Sequence, residues 1–346
     1  MLSHIRLQNF TAFAHLDLSL APGLNVFIGE NGTGKSHLLK VLYAACDATA
    51  RQRSFGEKLQ ATFLPMEGRI GRLAHRAGKG VHTRGEIQRG DGVSPLQFSF
   101  SNHTSKPTGV KVAGARAWAD APLEATFIPP KEILANAPGF RSMYGSRYIH
   151  FEEVYDDLLL RAYRPPLRGR PTGMRADLLR TLRKVLGGKV TTQGETFLLI
   201  GEQGALEFDL VAEGLRKIAL LWLLLQNGTL LGPAGTTAAR GYLLFWDEPE
   251  ANLNPRLYRV VVEVLWGLAR SGVQVFLATH DYALLKEIDL QQQPADRSLY
   301  HALFRAEDGT IQVSSSLHLR GLHPNAILAT FTDLYDREIQ RLFAEV

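Results

Sequence analysis

Eight consecutive residues constrain this chain more than any others. Gly29-Glu30-Asn31-Gly32-Thr33-Gly34-Lys35-Ser36 fits the pattern G-x-x-x-x-G-K-[ST] in full. Glycine takes positive φ at little cost, so such a loop can turn successive backbone N–H groups inward around phosphate oxygens. In that setting Lys35 reaches the β and γ phosphates and Ser36 offers its hydroxyl to Mg²⁺. The helix that follows directs its positive end at the anion. The flanks agree: residues 24–28 are an apolar run that reads as a buried strand, and Leu38, Leu39, Val41, Leu42 and Ala45 mark the inner face of a helix. A chance Gly-rich turn would lack this strand–loop–helix context. ATP and Mg²⁺ are the expected ligands.

A second apolar run, Leu243-Leu244-Phe245-Trp246, ends in Asp247-Glu248. A carboxylate at the end of a buried strand can steady Mg²⁺ through water, which gives Asp247 and Ser36 the metal role. Glu248 is placed as the base that orients or deprotonates an attacking water. The alternative is a pair of strand-end acids that cap the next element; the complete phosphate loop favours the catalytic reading.

The run Asp247-Glu248-Pro249-Glu250-Ala251-Asn252-Leu253-Asn254-Pro255 resembles the Walker B motif and D-loop of ABC-type ATPases, within them the branch of RecF, the SMC proteins and the overcoming-lysogenization-defect nucleases. The strand expected at 273–279 ends in His280-Asp281, similar to that family's switch histidine, so the resemblance gives His280 a γ-phosphate-sensing role beside Glu248 and Lys35. Ala212-Glu213-Gly214-Leu215-Arg216-Lys217 stands where the family's signature motif opens a helix, but lacks the usual serine. The resemblance implies an ATP-sandwich homodimer in which Gly214 and Arg216 act on the partner's nucleotide. Asn9-Phe10-Thr11-Ala12-Phe13 is similar to the family's opening motif, with aromatics near the adenine or in the core. Gln60 is a weak match to the Q-loop glutamine. The segment 127–134 resembles a stretch in bacterial AAA or ABC-like ATPases and has either a coupling or a packing role.

Strands separated by helices make an α/β fold the expectation. With the resemblance, it is a P-loop NTPase of ABC-ATPase type: a mixed central sheet, flanking helices and a long inserted helical or irregular lobe. The core is expected at 1–48 and 191–346, the lobe at 49–190, a surface loop at 232–241, hairpins at 196–210 and 300–315, and a terminal helix at 324–343. No heptads suggest a long coiled coil.

A net charge of +5 is unevenly spread. Residues 51–90 hold nine Lys/Arg against three Glu, and residues 161–184 hold eight against one Asp. DNA or RNA contact through these segments is one explanation and a solvated basic face the other. With one cysteine, Cys46, no signal peptide and no apolar run near the ~20 residues of a membrane span, a cytoplasmic protein without membrane contact is expected. The 66 residues after His280 show no acidic catalytic cluster, so a nuclease would be a separate effector. Three outputs stand open: a nucleic-acid-linked ATPase of DNA repair or anti-phage defence, a regulatory ATPase controlling a separately encoded nuclease or toxin without binding DNA, and, least favoured, a transporter's nucleotide-binding subunit.

Overall fold

A computed structural model describes residues 1–76, 78, 80–232 and 241–344. The loop expected at 232–241 therefore falls, from 233 to 240, outside the described residues, as does Lys79 of the first basic segment. The chain opens with β1 (Leu2–Phe10), β2 (Phe13–Ser19) and β3 (Leu24–Gly29), then α1 (Lys35–Ala50) and α2 (Phe55–Phe63). There follow β4 (His82–Arg89), β5 (Leu96–Ser101), β6 (Lys111–Ala113), α3 (Ala115–Asp120) and β7 (Glu124–Ile128). Three helices, α4 (Phe140–Gly145), α5 (Glu153–Ala162) and α6 (Gly173–Leu186), lead into β8 (Gly188–Gln193), β9 (Thr196–Gly201) and β10 (Gly204–Glu207). The remainder is α7 (Glu213–Gln226), β11 (Tyr242–Asp247), α8 (Tyr258–Arg270), β12 (Gln274–Thr279), α9 (Tyr282–Gln291), β13 (Ser298–Arg305), β14 (Ile311–Ser316) and α10 (Ala326–Ala344).

The six-stranded sheet runs β14-β13-β3-β12-β11-β7, with only β14 antiparallel to its neighbour. Every residue of β3, β11 and β12 is buried. That suits parallel strands covered on both faces, which read in sequence as continuous apolar runs. Because β3, β12 and β11 lie side by side and point the same way, the loops leaving their carboxyl ends meet at one edge. In open α/β sheets that edge is where ligands bind. A second, wholly antiparallel sheet of order β2-β1-β4-β5-β6 lies beside the first, and β8–β10 form a third, three-stranded sheet.

Two stretches that the sequence reading placed in the lobe instead contribute to these core sheets. β7 pairs with β11 in register from Tyr242↔Glu124 to Trp246↔Ile128, and β4 pairs with β1. Helix α2 and strand β4 were not foreseen. In β4 the buried positions are Thr83, Gly85, Ile87 and Arg89, a set without the apolar alternation that marks a strand. Gly85 is required there, since a Cβ would come within 2.1 Å of the Phe98 ring. Among the described residues no helix is long and apolar enough to cross a membrane.

Candidate functional site

The loop after β3 turns through Gly29 (φ 148°), Gly32 (82°) and Gly34 (94°) before α1 begins at Lys35. A Cβ on Gly29 would lie 2.1 Å from the Leu303 carbonyl oxygen, and one on Gly34 would lie 2.7 Å from the Phe13 ring, so β13 and β2 fix the loop from either side. Thr33 hydrogen bonds through its hydroxyl to the Glu30 carbonyl at 2.8 Å. Lys35 folds back over the loop and donates to the carbonyls of Gly29 (2.6 Å) and Glu30 (3.0 Å). Asn31 is exposed, and its side chain makes no hydrogen bond among the described residues.

Ser36 donates its hydroxyl to Asp247 Oδ1 at 3.1 Å. This joins two parts of the chain 211 residues apart and pairs two hard oxygen donors, the kind Mg²⁺ takes alongside water and phosphate oxygens. Burial pushes the Asp247 carboxyl up to about 6, against the opposing pull of the Ser36 hydroxyl, Lys40 and Lys35. Burial likewise lowers Lys35, with Asp247 and Glu248 opposing. Glu248 sits in the left-handed region at φ 50°, a conformation a non-glycine residue holds only where its surroundings enforce it. Its backbone N–H donates to the Ala278 carbonyl at 2.9 Å, which fixes the turn against β12 and leaves the side chain partly open to solvent.

His280 Nδ1 lies 3.6 Å from Glu248 Oε1 and 3.5 Å from Glu250 Oε1. Glu250 is the residue that holds this corner together. Its Oε1 accepts from the Thr279 hydroxyl at 2.7 Å and from the His280 N–H at 3.0 Å, and burial raises its carboxyl above the usual range. The sequence reading quoted Glu250 but gave it no part in the site.

The sequence of residues 130–286 matches a family profile described as "AAA domain, putative AbiEii toxin, Type IV TA system", and residues 1–60 match "AAA ATPase domain". Similar curated proteins include the DNA replication and repair protein RecF of Salinibacter ruber, 33% identical over 76 residues. The DNA double-strand break repair Rad50 ATPase of Thermoplasma volcanium is 31% identical over 118, and RecF of Lactobacillus acidophilus 24% over 170. These alignments take in 21%, 31% and 46% of this chain but only 18%, 13% and 42% of the relatives' own lengths. A solved SMC head bound to the C-winged helix domain of ScpA shares the fold at TM-score 0.57 and 11% identity, over 92% of this chain and 98% of that one. The SMC head domain from Thermotoga maritima does so at 0.50 and 12%, over 91% and 98%. The chain has the fold of an SMC head, and its sequence is similar to AAA ATPase domains and to RecF and Rad50, which is the pattern of an ABC-type P-loop ATPase.

In this chain the start of α7 leans on the segment after β11. Asn252, at φ 58°, donates to Glu213 Oε1 at 2.8 Å, and buried Lys217 donates to the Ala251 carbonyl at 2.5 Å. Gly214 packs against the same segment, where a Cβ would meet the Asn252 carbonyl oxygen at 3.1 Å. Among the described residues no hydrogen bond or ion pair joins the start of α7 to the loop 29–36. Arg216 is held within its own chain, with Nε 2.7 Å from Glu132 Oε2 and a donated bond to the Phe208 carbonyl at 2.9 Å. Through Glu132 this ion pair ties the segment after β7 to the start of α7. Gln60, the weak match to the Q-loop glutamine, lies on α2 and donates its side-chain amide to the Gly68 carbonyl at 2.6 Å.

Phe10 and Phe13 are wholly buried, Phe10 edge-on to Phe63 and Phe98. Thr11 and Ala12 instead line a cavity of about 700 Å³ that also touches Gly32, His37, His75 and Arg305. The basic segments need correction. Lys58 is fully buried, and Arg89 and Arg161 are nearly so, which removes them from any surface that could meet a polyanion. All three are neutralised from within: Arg161 by Asp47 at 2.7 Å, Arg89 by Asp91, and Lys58 by Asp47, Glu153 and Asp157.

Proposed function

We propose that this protein binds ATP with Mg²⁺ and hydrolyses it, as a switch whose dimer closes on two nucleotides. The observation that carries the reading is the Ser36–Asp247 pair at 3.1 Å, set beneath the glycine loop and beside Glu248. The amides of 29–34, Lys35 and the first turn of α1 would grip the phosphates. Lys35 would leave the carbonyls of Gly29 and Glu30 for the β and γ oxygens. Ser36 and Asp247 would hold Mg²⁺, which supplies charge neutralisation at the bridging phosphates. Glu248 would orient the attacking water and take its proton, with His280, steadied by Glu250, against the γ-phosphate. The cavity beside Gly32 and His37 is placed to receive the base.

A partner copy would present the amides at the start of α7, around Gly214, to the γ-phosphate. Arg216 would join them only by leaving Glu132. We place the switch in a nucleic-acid-linked process such as repair or defence, which the RecF and Rad50 similarity supports. The second reading, control of a separate effector without contact to DNA, is favoured by the loss of Lys58, Arg89 and Arg161 from the accessible charge. The division of the chain follows: residues 129–210 are the part left to couple the nucleotide to a partner.

Glu248→Gln tests the reading. Hydrolysis is expected to fall by about 10²–10⁴-fold while ATP uptake persists, and the ATP-loaded chain to elute as a dimer. Unchanged phosphate release would sink the assignment of the base. Retention of a DNA duplex by that dimer at low salt, and not by the ATP-free chain, would decide for the first output over the second.

A further inference from the structure

Helix α6 carries a buried cation that the chain does not satisfy. Arg175 is 9% exposed, its side chain makes no hydrogen bond or ion pair among the described residues, and its Nη1 is buried without a partner there. It stands in the first turn of α6, where the helix dipole opposes a positive charge, and Thr172 ahead of it gives no side-chain cap. An unpaired buried guanidinium is costly, and a first-turn position adds to the cost. Arg175 opens onto a cavity of about 460 Å³ shared with Arg180, Arg183 and Lys189, and no carboxylate lines it. Among the described residues Arg183 and Lys189 are themselves unpaired, and Arg180 has only the exposed Asp177 at 3.1 Å. The other walls are apolar or amide: Leu179 and Trp222, with Gln226 beside them.

We propose that this cavity, in the helical lobe and separate from the triphosphate loop, is a second binding site for a phosphorylated nucleoside. The guanidinium forks of Arg175 and Arg183 suit phosphate oxygens, which they would meet together with the free amides of the first turn of α6. The aromatic wall at Trp222 suits a base, and the Gln226 amide offers both a donor and an acceptor to a base edge. The volume is that of a site for one such unit, not a whole polymer. The unit is either a free nucleotide or one member of a single strand. A phosphate bound there supplies the counter-charge that Arg175 lacks. It would also bridge α6 to α7, whose N-terminus carries Gly214, so occupancy would bear on the helix offered to the partner's ATP.

The test uses the full chain carrying Lys35→Ala, so that the triphosphate loop does not compete and its own failure is scored separately. Titration with adenosine 5′-monophosphate, followed by calorimetry and tryptophan fluorescence, is expected to show one saturable event. Arg175→Gln should weaken it at least ~10-fold and the exposed change Arg183→Gln several-fold, about 3-fold or more. In the chain with Lys35 intact, Arg175→Gln should leave basal ATP turnover at the parent rate. A ten-base single strand with the same dependence on Arg175 would identify a strand as the source, and uptake of the mononucleotide alone a free nucleotide; both uphold the site. Inorganic phosphate or phosphotyrosine bound as tightly as the mononucleotide would overturn the nucleoside assignment. Uptake indifferent to both arginines, or no saturable uptake of any probe, would overturn the site itself.

Discussion

Asp247 is buried and yet must be charged to hold a metal, and its carboxyl, raised to about 6, lies between those demands. A proton on an acid with a raised pKa competes with the metal below that pKa and not above it. Affinity for ATP in excess Mg²⁺ should therefore climb as pH rises from 5 to 7 and then level off. Titrations at pH 5, 6, 7 and 8 check this, and a flat profile for the native chain would contradict it. The residues of the loop and of the Asp247-Glu248 pair were legible because their spacing along the chain is itself the chemistry. Glu250 was not. Its hold on Thr279 and His280, 29 and 30 residues away, exists only because β11 and β12 pair in the register that aligns their ends. The positive φ of Glu248 was equally hidden, since no residue type announces it.

At the scale of elements, a buried charge network joins α1, which begins at Lys35, to α2 and α5. Lys58 of α2 touches Asp47 of α1 at 2.7 Å and Glu153 and Asp157 of α5 at 2.9 and 2.5 Å, while Tyr43 of α1 donates to Asp157 at 2.6 Å. Burial alone would raise Asp47, but Lys58, Arg161 and Arg51 bring its carboxyl down to about 2. A carboxyl depressed in the folded chain contributes stability above its usual 3.8, and that contribution is lost as pH falls through 3.8 towards 2. Removing Lys58 would leave Asp47, Glu153 and Asp157 crowded together without the one fully buried cation they share, opposed only by Arg161, Arg51 and Arg53 at the margin. Lys58→Met should cost about 3–5 kcal/mol at neutral pH, read as a lowered urea midpoint, with the deficit shrinking in acid as the carboxyls protonate. A loss under about 1 kcal/mol would mean that the network is solvated. Sequence reading took Lys58 and Arg161 for surface charge, because a basic residue looks the same in sequence whether it meets solvent or three buried acids. β4 was lost for a related reason: its inward side chains are Thr83, Gly85 and Arg89 as well as Ile87.

In the whole molecule, the parallel sheet brings three strand ends to one edge, and that edge gathers residues drawn from the beginning and the last third of the chain. The α/β class and the strands that build this edge were legible as unbroken apolar runs, because such strands are covered on both faces. The boundary of the lobe was not, because β4 and β7 leave it to complete core sheets, and strand partners far apart in sequence are invisible to local periodicity. The account depends on the edge acting as one pocket for a triphosphate and its metal. Calorimetric titration of the full chain with ATP, with and without Mg²⁺, against Lys35→Ala tests that most directly. The account predicts saturable uptake that needs Mg²⁺ and weakens at least ~10-fold without the Lys35 ammonium. Uptake of equal strength in the alanine variant, or none by the native chain, would contradict it.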